Sequence, residues 1–303
     1  MYVIQTRNVT KRFNDKEVIS NVNMNVKQGQ IYGLLGPEGC GKTTIIKLLM
    51  NLLQPTYGEI LLFGETLTSR KYDLYKRIGS IIDVPAFYEH LSPKENLQLH
   101  GDYMGYHQKN AIQDVFELVG LKWNDKKPVN MLSLAMKQRL GIARAIMTKP
   151  DLVILDNHNI GLDAIGIKEM RTLIKRLSEQ YGTTFLISSH ALSEIQQIAD
   201  VIGIMHQGKL KSEWSMEEVQ QMRSDCIEMK TTNVKKAAFV LEEYLHISQF
   251  KVIDESMIRI YDTHFSEHAL LKTLILNEIP IYHFTKKSGT LEDLFLKTVD
   301  RRE

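Results

Sequence analysis

Short unbroken apolar runs alternate along this chain with longer stretches whose apolar residues recur every three or four positions. The runs at residues 30–35, 151–156 and 183–188 are strand-length and apolar except at their ends, which predicts parallel strands buried on both faces. Helical spacing marks residues 45–53, 133–148 and 165–181, with Pro150 ending the second; residues 92–120 repeat it with a break near 101–105. Residues 1–30 read instead as antiparallel strands about the polar turn Asn14-Asp15-Lys16, and 59–64 as another strand after the turn Pro55-Thr56-Tyr57-Gly58. Together these predict a doubly wound α/β core with an antiparallel β subdomain and a helical insert over about residues 92–148.

Near Met222 the pattern changes. Strand (227–230), helix (234–245), a strand pair around Asp254-Glu255-Ser256, helix (267–278), strand (281–285) and helix (291–299) predict a small α+β domain with its own core. The expected division is therefore 1–222 and 223–303, without internal repeats or low-complexity segments.

Between the first buried run and its helix lies Gly36-Pro37-Glu38-Gly39-Cys40-Gly41-Lys42-Thr43-Thr44, a G-x-x-x-x-G-K-T loop in a strand–loop–helix setting. Gly36, Gly39 and Gly41 allow the backbone to curl until its N–H groups converge on phosphate oxygens. A helix starting near Lys42 adds its positive dipole end. Lys42 is expected to neutralise the β and γ phosphates and the Thr43 hydroxyl to ligate Mg²⁺; a plain glycine-rich turn would need neither. The expected ligands are a nucleoside triphosphate and Mg²⁺.

Charge and composition narrow the partners. Across 303 residues the formal net charge is +2, so no global basic field points to nucleic acid. The two cysteines, Cys40 and Cys226, read as free thiols of a reducing compartment, because a disulfide at Cys40 would obstruct the phosphate loop. No apolar run approaches the roughly 20 residues needed to cross a bilayer, and the N-terminus has no signal-peptide core. Any membrane work is expected to need a second polypeptide.

Four further stretches follow the loop in order: Leu132-Ser133-Leu134-Ala135-Met136-Lys137-Gln138-Arg139 at a helix start, the run ending in Asp156, Ile160-Gly161-Leu162-Asp163, and Ser188-Ser189-His190. In this sequence they resemble the ATP-binding subunits of ABC transporters over residues 1 to about 220. Residues 78–91 and 132–143 look most like the bacitracin-resistance and lantibiotic-immunity branch, and Leu291-Glu292-Asp293-Leu294-Phe295 looks like the end of such subunits. The resemblance implies a P-loop ABC-type nucleotide-binding domain in which Phe13 stacks on adenine. Thr43 and Asp156 would serve Mg²⁺, and His190 would sense the γ-phosphate. Ser133 and Ala135 would face nucleotide on a second subunit packed head to tail, with Asp163 in the loop that communicates across that interface. It also implies a homodimer or heterodimer of such subunits on the cytoplasmic face of the cell membrane, held there by a multi-pass permease that docks at Val84-Pro85-Ala86-Phe87-Tyr88.

The departures from the family pattern carry chemistry. Where the family places a glutamate to polarise the attacking water, this chain has Asn157. An amide orients water but cannot take its proton, and losing a general base costs roughly 10²–10⁴-fold, about 3–5 kcal/mol. His158 follows in place of a proline, and adjacent residues near a strand end point differently, which argues against its replacing the base. Ala135 stands where the signature has its second glycine, a mild obstruction to backbone approach. Asp83 occupies the usual Q-loop glutamine position and is carried over as a shorter catalytic and metal-facing residue. An exporter subunit with weak hydrolysis is the first reading. A fully active homodimeric ATPase, a soluble ABC-type protein outside transport, and a P-loop kinase are the alternatives.

Overall fold

The computed structural model describes residues 1–14, 16–68, 72–122, 126–157, 161–222, 226–261 and 266–287. The expected helix at 291–299, its Leu291–Phe295 motif, Asp15 of the first turn, His158 and Ile160 lie outside the described residues. The chain divides into two compact units, Met1–Met216 and Glu217–Glu303.

In the first unit β1 (Tyr2–Phe13), β2 (Lys16–Val22), β3 (Asn25–Lys27), β5 (Tyr57–Leu62) and β6 (Glu65–Thr66) form an antiparallel sheet in the order β2-β1-β5-β6, with β3 also on β1. A second sheet runs β11-β10-β4-β9-β8-β7: β4 (Ile31–Leu35), β7 (Ile78–Ile81), β8 (Leu152–Asp156), β9 (Thr184–Ser189), β10 (Val201–His206) and β11 (Lys209–Ser215). All neighbours are parallel except the hairpin β10–β11. Every residue of β4, β8 and β9 is buried, as unbroken apolar runs require of a sheet covered on both faces.

Helices α1 (Lys42–Leu49), α2 (Pro93–Met104), α3 (Ala111–Leu118), α4 (Leu134–Ile146), α5 (Ala164–Tyr181) and the short α6 (Leu192–Ile195) complete this unit. Helix α1 ends at Leu49, short of the expected Leu53. The break in the helical insert falls at Gly105–Asn110, after the expected place, because Gly105 adopts the left-handed conformation that closes a helix. Ser92 opens α2 with a reciprocal capping box to Glu95, and Ser133 opens α4 by accepting the Met136 N–H.

The second unit contains α7 (Met216–Met222) from residue 217 on, β12 (Cys226–Thr231), α8 (Val234–Glu243), β13 (Phe250–Val252), β14 (Met257–Ile260), α9 (Glu267–Leu276) and β15 (Ile281–Lys287). Its antiparallel sheet runs β13-β14-β12-β15, a split βαβ arrangement. Ile227, Met229, Ile258 and Ile260 meet Ala237, Val240 and Leu241 of α8 and Leu270 and Leu274 of α9 in a closed core. The intervening Glu228 is buried as well. It pairs with Arg259 at 2.9 Å and Lys287 at 2.6 Å. Those bonds, Lys287 first, hold its carboxyl below the usual carboxylate range.

Candidate functional site

Register assembles the site. β4 pairs with β9 from Ile31↔Phe185 to Leu35↔Ser189, and β8 pairs with β9 so that Asp156 lies beside Ser188. The carboxyl ends of three central strands therefore finish together, where open α/β sheets place ligands. The phosphate loop leaves β4 at this end. Gly39 and Gly41 take φ of 73° and 110°, backbone that side chains resist, and Gly41 leads straight into α1. Lys42 is almost fully buried, its ammonium donating to the carbonyls of Gly36 (2.7 Å) and Pro37 (2.9 Å). Cys40 Sγ lies 3.9 Å from that ammonium; burial pushes the thiol up, and Lys42 pulls it back only in part.

Thr43 Oγ1 donates to Asp156 Oδ2 at 2.7 Å, and Ser188 Oγ donates to Asp156 Oδ1. Asp156 is fully buried and, among the described residues, no cation pairs with it. Two hard oxygens, one of them a carboxylate left unneutralised, suit a small divalent cation, so the donor set fits Mg²⁺. Asn157 follows in a left-handed conformation (φ 48°), its N–H directed at Ser188 O (3.3 Å) and Ser188 Oγ (3.2 Å). Asparagine is one of the few residues that takes this backbone readily.

A cavity of ≈ 220 Å³ brings together Gly39, Gly41, Lys42, Thr43 and Thr44 with Asn157 and His190, and with Val18 and Glu38 at its edge. Gly36, Pro37, Cys40 and Asp156 do not line it. Its volume falls below the several hundred Å³ of a site that encloses a whole ligand. A larger cleft of ≈ 650 Å³ runs past α3, Asp151, Val153 and the end of α5, at the opposite end of the strands, and holds no phosphate-loop residue.

The other predicted residues lie apart from this cavity. Phe13 is at the tip of β1, exposed rather than in the core, with Lys11 Nζ 5.2 Å from its ring centre. Asp83 pairs with Lys47 at 3.1 Å and does not reach the cavity. Ser133 and Ala135 sit at the start of α4, beside the exposed side chains of Met131 and Leu134. Asp163 caps α5 by accepting the Gly166 N–H at 2.8 Å.

The side of α4 carries the loop after Asp83. Lys137 is 3.7 Å from Glu89, a Cβ on Gly141 would stand 2.9 Å from Pro85, and Arg144 donates to the Ala86 carbonyl at 2.6 Å. The Arg144 guanidinium also lies 4.9 Å from the Phe87 ring centre. Backbone N–H groups of Val129 and Asn130 bond Leu91 and Glu89. Arg144 was not singled out by motif reading, and Ser188 was named only within the Ser188-Ser189-His190 stretch, without a role of its own. The signal for that role was a hydroxyl near the end of a mostly apolar strand.

A phosphate loop, a Walker-B-type carboxylate and a histidine gathered at the ends of parallel strands, beside an antiparallel sheet and a helical insert, define an ABC-type ATP-binding domain. The chain belongs to the ABC transporter ATP-binding family: the family described as ABC transporter matches residues 19–158. It is 52% identical over 299 residues to the ABC transporter ATP-binding protein YcbN of Bacillus subtilis (strain 168), covering 99% of this chain and 97% of that one. It is 42% identical to the bacitracin transport ATP-binding protein BcrA of Bacillus licheniformis, over 98% of this chain and 97% of that one. A solved ATP-binding subunit of an ABC transporter, 23% identical, shares the fold with a TM-score of 0.67, over 72% of this chain and 92% of that one. The chain is also 41% identical to the lantibiotic transport ATP-binding protein SrtF of Streptococcus pyogenes, over 69% of this chain and 89% of that one, so the expected bacitracin and lantibiotic resemblance is borne out. Among the described residues no helix is long and apolar enough to cross a membrane.

Proposed function

We propose that this subunit binds Mg·ATP, closes on a second ATP-binding subunit, and so drives a membrane permease that exports a peptide antibiotic of the bacitracin type, with slow hydrolysis of its own. The observation that carries this reading is the cavity in which the phosphate loop faces Asn157 and His190, with no carboxylate at position 157. Lys42 offers its ammonium to phosphate oxygens, and the loop N–H groups and the start of α1 add positive potential. Thr43 and Asp156 hold the metal, which when bound neutralises phosphate charge. Asn157 orients the attacking water but leaves it without a proton acceptor, and His190 donates toward the γ-phosphate position. The ≈ 220 Å³ volume agrees with a site that takes the triphosphate and leaves the base outside, toward Phe13, and that a second subunit completes through Ser133 and Ala135.

In a homodimer both sites would lack the base. Beside a subunit that keeps the glutamate, this chain's ATP would be held while the partner's turns over. The deciding measurement is steady-state ATP hydrolysis by the purified chain. Asn157→Glu should raise it roughly 10²-fold, while Asn157→Gln, which carries the same left-handed strain without a carboxylate, should not. An unchanged rate in Asn157→Glu, or a wild-type rate already near the enzyme median of about 10 s⁻¹, would overturn the slow-site reading.

For the permease, support comes from exposed Tyr88 and Val84 beside Phe87, on a loop held firmly by α4. Large aromatic side chains of this kind anchor interfaces. Replacing Phe87 and Tyr88 together by alanine should release the permease and lower the host's bacitracin tolerance while Mg·ATP binding persists. Retained pull-down of the permease by that variant would show the docking assignment to be wrong.

A further inference from the structure

Asp156 is a fully buried carboxylate whose two oxygens meet different hydroxyls. Oδ2 takes the Thr43 proton and faces the phosphate loop, while Oδ1 takes the Ser188 proton and faces the neighbouring strand. Thr43 is itself a candidate metal ligand, so among the described residues only the Ser188 bond fixes the carboxylate independently of what the site holds. Ser188 is fully buried, and parallel pairing of β8 with β9 sets it directly beside Asp156. The same hydroxyl oxygen accepts the N–H of Asn157 at 3.2 Å, and the Ser188 carbonyl lies 3.3 Å from that N–H. One side chain thus ties the metal-facing carboxylate to the left-handed residue that lines the cavity.

We propose that Ser188 is a positioning residue for this ATP site: its hydroxyl sets the Asp156 carboxylate for the metal through Oδ1 and anchors the backbone of Asn157 through its own lone pair. The proposal rests on the Mg·ATP reading above. The logic is chemical economy at a buried charge. A lysine or arginine on Oδ1 would neutralise the carboxylate and weaken its attraction for a cation. A neutral hydroxyl orients the group, removes the penalty of an unbonded buried oxygen, and leaves the charge in place. Because Ser188 donates to Asp156 and accepts from Asn157, its proton has one direction to point, and the acceptor side is filled by the backbone. Loss of the hydroxyl would free Asp156 to turn and Asn157 to leave its left-handed well.

The test is nucleotide affinity of the purified chain by calorimetry, with and without Mg²⁺, for wild type, Ser188→Ala, Ser188→Cys and Ser188→Thr. Partners one shell outside a metal ligand typically contribute 10–100-fold to metal affinity. Ser188→Ala and Ser188→Cys should therefore weaken Mg·ATP binding about tenfold, roughly 1.4 kcal/mol, and leave metal-free ATP binding within twofold of wild type. Ser188→Thr, which keeps the hydroxyl, should restore the metal-dependent gain. Equal losses with and without Mg²⁺ would reduce Ser188 to a packing residue and overturn the proposal, as would full Mg²⁺ dependence in the alanine or cysteine variant. Should the alanine variant fail to fold, the near-isosteric cysteine variant decides by the same ratio. Wild type failing to bind Mg·ATP at all would instead overturn the function proposed above, and is read separately.

Discussion

Two buried carboxylates in this molecule are treated in opposite ways. In the second unit Glu228 is held by Lys287 and Arg259, so its charge is answered within the fold. In the first unit Asp156 is held by the hydroxyls of Thr43 and Ser188, and no cation among the described residues answers it. Both arrangements satisfy hydrogen bonding, which burial demands. Only the second leaves a charge for something that arrives later. A fully paired carboxylate is a fastening, whereas one paired only by neutral donors is an open electrostatic position.

The contrast can be broken most sharply at Asp156. Asp156→Asn keeps the shape and removes the charge, so the extra thermal stabilisation that Mg²⁺ adds to ATP should collapse by at least the roughly 10–100-fold in affinity assigned to an outer-shell partner. The same substitution type at Glu228 should spare nucleotide binding altogether. Glu228→Gln should instead lower the unfolding free energy of the second unit by about 1–2 kcal/mol, in keeping with charged hydrogen bonds lost to half-exposed partners. Domain-resolved hydrogen exchange separates the two outcomes, and a loss of ATP affinity in Glu228→Gln would end the comparison.

The smallest effect is the pH response. Glu228 has its folded pKa depressed, so its contribution is complete above the unfolded value near pH 4.3 and is lost as pH falls through the lower folded value. Wild type should lose stability in the second unit faster than Glu228→Gln on acidification below about pH 4.3. Parallel acid curves would mean the pairs carry no net stability.

What could be read from the sequence follows the range over which its causes act. The runs ending at Leu35, Asp156 and Ser188 announce their strands because burial on both faces leaves few polar positions, and those at the strand ends. Strands Ile78–Ile81, Val201–His206 and Lys209–Ser215 were not among the expected elements. The first is only four residues with a glycine inside, and the last is half-buried from Leu210 on, so neither carries a strong period. Motif spacing named Lys42, Thr43 and His190, which the structure brings to one cavity. It could not place Asp83 against Lys47, since that contact depends on how α1 lies beside the loop after β7. Nor could it show the left-handed backbone at Asn157 or the Ser188–Asp156 bond, which joins residues 32 apart through strand register.

The α4 contacts with the loop at 85–89 have a mechanical consequence. Lys137, Gly141 and Arg144 are spaced four and three residues apart, so they share one side of the helix and spread over about 10 Å of its length. A segment pinned at one point swivels; one held at three points over about two turns is carried like a rail bolted to a beam. Val129 and Asn130 bond Leu91 and Glu89 as well, so the segment carrying Phe87 and Tyr88 is tied both to α4 and to the residues just before it. A joint held at several points would pass a tilt of α4 on to Phe87 and Tyr88 as a whole rather than contact by contact.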